Sequence, residues 1–149
     1  MKTVLKKLLF VFVCIVSFQP ALADNDRPIQ VNQLPVAAQN LLKQHFAGQK
    51  VALAKQESGI IEKTYDVIFT DGTKIEFDRN GKWTEISCKQ TLTVPAALIP
   101  SQVTNYIQQN YPQVQVRKIE RERNRHEVEL TNRVELTFDS KFRVVDIDR

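Results

Sequence analysis

The feature that most restricts what this 149-residue chain can fold into is that most of it is written twice. Leu34-Pro35 is echoed by Ile99-Pro100, and the same shift of 65 positions pairs Leu42 with Ile107, Phe46 with Tyr111 and Val51 with Val116. Past a four-residue gap near Glu57 to Lys63 the shift becomes 61. It then pairs Val67 with Val128, Phe69 with Leu130, Ile75 with Leu136, Phe77-Asp78 with Phe138-Asp139, and Ile86 with Ile147. A single gap aligns the rest, which predicts a tandem duplication in which both halves make the same elements.

Each half reads as one helix and four strands. Pro35 and Pro100 suit the first turn of a helix, where a missing N–H costs nothing. Ala38, Leu41, Leu42 and Phe46 recur at helical spacing, as do Val103, Tyr106, Ile107 and Tyr111. Ala47-Gly48 and Pro112 end these helices. A short strand around Lys50 to Gln56 starts a meander. Two-residue alternation follows through Tyr65, Val67 and Phe69, and again through Thr73, Ile75 and Phe77. Asp71-Gly72 and Asn80-Gly81 read as tight hairpin turns, the latter with both residues at positive φ. Lys82 to Cys88 closes the unit, and Lys89 to Pro95 links it to the next. The second half has Asn132-Arg133 and Lys141-Phe142 at the turn positions, so looser turns, or turns of another type, are expected there. The expected fold is α+β, with two tandem α-β-β-β-β repeats forming one extended antiparallel sheet and helices on one face.

Alternation also assigns the faces. Val67, Phe69, Ile75, Phe77, Thr84 and Ile86 are expected to point at the helices, with Val128, Leu130, Val134, Leu136, Phe138, Val145 and Ile147 in the second half. The opposite, open face would carry Asp66, Ile68, Lys74, Glu76, Asp78, Trp83 and Glu85. Its second half would carry Glu127, Glu129, Thr131, Glu135, Thr137, Asp139, Val144 and Asp146.

The N-terminus supplies the compartment. Lys2, Lys6 and Lys7 precede an apolar run from Leu8 to Phe18, which is too short to span a bilayer. Ala21-x-Ala23 then offers the small residues of a cleavage site, so residues 1–23 are expected to be a signal peptide and the product periplasmic or secreted. Cys14, inside the apolar run and after Phe12-Val13, does not fit a lipid-attachment site. The leader takes three lysines and no acid with it, lowering the net charge from +4 to +1. The sequence pI of about 9.1 is therefore no sign of nucleic-acid binding. Only Cys88 remains after cleavage, so no intramolecular disulfide is expected, and Cys88 is either a half-buried strand residue or a thiol that is reactive or links two chains.

Leu34-Pro35 with its helix, Tyr65-Asp66-Val67, Asp71-Gly72, and Ile75-Glu76-Phe77-Asp78-Arg79-Asn80-Gly81-Lys82-Trp83 together resemble the PepSY-like family of exported bacterial proteins. The stretch from Val94-Pro95-Ala96-Ala97-Leu98-Ile99-Pro100 to the C-terminus is similar to that family's second repeat. The resemblance implies repeats over 24–90 and 91–149 and a long curved sheet like that of the β-lactamase inhibitory protein. It implies no catalytic residue set.

The residues themselves agree chemically. His45 and His126 are isolated and at no metal-ligand spacing. Asp78 to Gly81 fails as a calcium loop, because Lys82 and Lys89 fall where ligands are needed. Ser58, Ser87 and Ser101 have no nucleophile elbow, and carboxylate pairs such as Glu76 with Glu85 lie on an open sheet among lysines. No catalytic residue, cofactor or metal is expected. The run from Arg117 to Arg125 reads as a patch for an anion or an acidic partner, or as a solvated strand and turn of mixed charge. Trp83 reads as an interface anchor or as a cover for a lysine stem or sheet edge. The expected function is a non-catalytic, monomeric binding module that takes a protein or peptide on its open face. Trp83, Glu76, Asp78, Glu85, Lys74, Glu127, Glu129 and Glu135 would make the contacts, possible roles being inhibition or regulation of an envelope enzyme. The alternative is a periplasmic sensor of a small molecule or cation.

Overall fold

The structure, a computed structural model, describes residues 26–59, 61–89 and 91–149. The expected signal peptide and its cleavage site lie outside the described residues. A nine-stranded antiparallel sheet runs in simple sequence order, β1(Asp26–Ile29), β2(Val51–Ser58), β3(Lys63–Phe69), β4(Lys74–Phe77), β5(Trp83–Ser87), β6(Val116–Arg121), β7(Arg125–Leu130), β8(Glu135–Asp139) and β9(Val144–Asp148). Helix α1(Val36–His45) lies between β1 and β2, and α2(Ser101–Asn110) between β5 and β6. Pro35 and Pro100 are the N-cap residues, one position before the expected first turn, and a short 3-10 turn precedes each.

Register makes the sheet two-faced. One cross-strand row reads Ile29, Ala54, Val67, Ile75, Ile86, Ile119, Val128, Leu136 and Ile147 from edge to edge. From Ile29 to Leu136 this row packs with Ala38 and Leu42 of α1 and Val103 and Ile107 of α2 in a single core. The helices therefore share one face, as the alternation predicts. The core thins at the last strand, where Ile147 is half exposed although it pairs with the buried Leu136.

The hairpins correct two readings. Gly72 and Gly81 alone take positive φ in the first pair of turns, at 88° and 79°. Asp71 and Asn80 do not, so each turn is a three-residue loop ending in a left-handed glycine. The second pair is not looser. Arg133 and Phe142 occupy the same left-handed position at φ 68° and 58° and repeat the same closing hydrogen bonds, to Leu130 and Asp139. Side-chain caps hold both sets: Asp78 Oδ1 accepts from the Asn80 and Lys82 amides, and Asp139 Oδ1 from those of Lys141 and Arg143.

Candidate binding face

A second cross-strand row, offset by one residue, makes the open face. It reads Pro28, Lys55, Asp66, Glu76, Glu85, Glu120, Glu127, Thr137 and Asp146. Five carboxylates thus stand directly abreast across β3 to β7. Like charges in directly opposed positions repel, so such a row needs cations beside it. The neighbouring row supplies them with Lys74 and Lys118. Lys74 lies 2.9 Å from Asp66 Oδ2 and also bonds Glu76, while Lys118 lies 3.1 Å from Glu85 and 3.4 Å from Glu120. Lys55 joins Asp26 at 2.6 Å, Glu57, and Asp66 at 3.4 Å. These pairings raise the pKa of Lys55, chiefly through Asp26 and Glu57. Burial acts against Lys74 and Lys118, but their carboxylate partners still raise both. Asp66 is 2 % exposed, roofed by its two lysines. Its contact with Lys74 is an ion pair rather than a well-directed hydrogen bond, since Oδ2 has no partner of hydrogen-bond geometry.

Compensation fails toward the far edge. Arg117 pairs with Glu129, and Glu127 has only the exposed Arg125 at 3.4 Å. Among the described residues Glu135, Asp146 and Asp148 form no ion pair, and Arg133 and Arg149 share a hollow with Glu135 and Asp148 at the sheet edge without bonding them. Lys118, Glu120, Glu127, Glu129, Glu135 and Thr137 line a shallow depression of about 120 Å³ here. Of the expected contact residues, Glu76, Glu85, Lys74, Glu127, Glu129 and Glu135 do lie on this face. Asp78 lies just beyond β4 and serves its own turn.

Trp83 does not lie there. The register slips between Glu76 and Phe77, so that Phe77 faces Trp83 and Thr84 is the extra, bulged residue. A bulge reverses the side on which the next side chain emerges. Trp83 is 8 % exposed and belongs to the core. Its ring carries the Arg121 guanidinium at 4.4 Å, and its carbonyl accepts from Arg121 Nη2 at 2.6 Å. The same slip recurs between Thr137 and Phe138, where Val144 packs against the core and Val145 is left exposed. This overturns the expected inward positions of Thr84 and Val145. Cys88 is buried more fully than expected, and burial pushes its thiol pKa up, which disfavours the reactive thiolate.

A family model described as "Putative beta-lactamase-inhibitor-like, PepSY-like" matches residues 63–146. The chain belongs to the PepSY-like family. Among solved structures it is 54 % identical to one described as a "putative calcium-regulated periplasmic protein" from Bacteroides thetaiotaomicron, with a TM-score of 0.82 over 85 % of this chain and 99 % of that one. A protein from Bacteroides vulgatus described as a "putative periplasmic protein" is 50 % identical, again at TM-score 0.82 over 85 % and 99 %. A second B. vulgatus periplasmic protein, of unknown function, is 36 % identical at TM-score 0.78 over 83 % and 99 %. No curated protein matches the chain. All three of these neighbours are described as periplasmic proteins, in keeping with a periplasmic or secreted product. Among the described residues no helix is long and apolar enough to cross a membrane.

Proposed function

We propose that this protein is a non-catalytic exported binding module whose open sheet face holds a basic protein or peptide segment. The observation that carries this reading is the uneven neutralisation of the acidic rows. Lys74 and Lys118 bridge the carboxylates over β3 to β6, but among the described residues no built-in cation does so for Glu135, Asp146 and Asp148. A partner's lysines or arginines set at strand spacing would supply over β7 to β9 what Lys74 and Lys118 supply elsewhere. Complementary charge of this kind speeds encounter and selects among partners more than it adds affinity. Inhibition or regulation of an envelope enzyme is the sharper form of the reading. The two halves, 24–90 and 91–149, are read as copies of one unit behind a leader of residues 1–23. Among the described residues the carboxylates without an ion pair on this face, Glu135, Asp146 and Asp148, all fall in the second copy.

The test is a pull-down from the envelope fraction with the wild type and a Glu127→Gln/Glu135→Gln variant. A partner held by the wild type, weakened by salt and lost by the variant supports the face. Equal recovery by both proteins removes it.

A second reading, a cation sensor, is favoured by the calcium-regulated description of the 54 % identical relative. Among the described residues, however, no group of three or more Asp, Glu, His or Cys is close enough to hold a metal ion. A calcium titration without a rise in melting temperature would dismiss this alternative.

A further inference from the structure

The helix-side end of the sheet holds a cation that the acidic face does not use. Arg121 is half-buried and paired in register with His126 of β7. Its neighbour Arg125 takes Glu122 at 3.6 Å and Glu127 at 3.4 Å. Arg121 has no ion pair among the described residues. Burial works against its charge, and Asp78 is the carboxylate whose field offsets this. One Asp78 oxygen is already taken by its own turn. A half-buried guanidinium without a counter-ion is costly, and such charges are ordinarily paired.

The surroundings hold this charge in place. One face of the guanidinium lies on the Trp83 ring, and of its five N–H donors one goes to the Trp83 carbonyl. The others meet no acceptor among the described residues. His126 stands beside it, with a buried Nδ1 that has no partner and with its ring against Phe142 at 4.9 Å. In an antiparallel meander the β4–β5, β6–β7 and β8–β9 turns fall at the same end. These turns carry exposed Arg79, Lys82, Arg123 and Lys141, while their acids are engaged elsewhere, Glu122 by Arg125, Asp139 by Arg143 and its own turn, and Asp78 by its own turn. Like-signed charge around a partly desolvated cation draws anions.

We infer that Arg121, held on Trp83 and flanked by His126 and Phe142, is a binding site for a carboxylate or phosphate group carried on a small apolar body. The planar guanidinium edge matches either group bidentately. The rings of Phe142 and His126 offer the apolar body a wall. This site lies on the opposite side of the sheet from the acidic rows, so it stands or falls independently of them.

Trp83 is the one tryptophan of the chain, so its emission reports on the site directly. Benzoate and phenyl phosphate are titrated separately at constant ionic strength, and fluorescence and melting temperature are followed. A saturable change with one or both is expected, and which of the two responds tells carboxylate from phosphate. Arg121→Gln should abolish it, and Arg121→Lys, which keeps the charge but loses the fork, should weaken it by about tenfold. No saturable response to either anion overturns the proposal. So does unchanged affinity in Arg121→Gln or, should that variant fail to fold, in Arg121→Lys.

Discussion

Trp83 faces Phe77 across the β4–β5 hairpin, and the bulge at Thr84 turns its ring onto the helix side of the sheet. Truncating it should therefore act on stability before it acts on any partner. Trp83→Ala is expected to cost about 3–5 kcal/mol, the range for removing a large aromatic from a core. Trp83→Phe, which keeps most of the apolar body, should lose a smaller share. Urea denaturation of the three proteins measures this; a loss confined to surface values would mean that Trp83 is not packed as described.

Gly81 and Arg133 make opposite demands. A Cβ on Gly81 would stand 2.7 Å from Pro35 Cβ and 2.9 Å from the Ala38 amide nitrogen, at φ 79°. Gly81→Ala should destabilise by about 2 kcal/mol or more, since neither the backbone angle nor the space admits a side chain. Arg133 is exposed and takes the left-handed conformation that favours glycine. Arg133→Gly should gain about 0.5 kcal/mol, because relief of the left-handed backbone slightly exceeds the added entropy of the unfolded chain. Thermal melts should move in opposite directions.

Asp66 anchors the near end of the acidic rows under Lys55 and Lys74. Asp66→Asn keeps the shape and removes the charge, leaving two lysines crowded over a neutral amide. The expected cost is about 1–3 kcal/mol, with the lysines' partial exposure limiting it. A double cycle with Lys74→Met should recover part of that loss.

His126 gives the fold a pH dependence of definite sign. Burial, and then the adjacent Arg121, lower its pKa below the ordinary 6.5. The unfolded chain therefore takes up the proton first as pH falls. The stability that His126 contributes is complete above pH 6.5 and is lost as pH drops through the lowered folded value. Melting temperatures measured downward from pH 7.5 should fall more steeply for the wild type than for His126→Gln. Parallel curves would show that the imidazole titrates as it does in the unfolded chain.

The order of elements was readable from the residues because its signals are local. Proline and glycine punctuation, helical spacing in Ala38-Leu42-Phe46 and two-residue alternation from Tyr65 to Phe77 each act within a few positions. They assign a helix or a strand, and for most strands the buried face, without knowledge of any neighbour. The acids of the open face came with that assignment.

Pairing decided the rest. Whether Trp83 or Thr84 points inward depends on which of them meets Phe77, and a one-residue bulge exchanges the two answers. The same slip placed Val144 inside and Val145 outside. β1, whose Pro28 suits only an edge strand, exists because β2 offers it a row of partners. Arg133 and Phe142 take a glycine's conformation because the strands they join fix the loop. Arg121 lies 38 positions from Trp83 in sequence, and only the pairing of β5 with β6 sets its charge on that ring. Local residue chemistry thus determined the elements, while register, which depends on contacts far apart in the chain, determined which side chains meet.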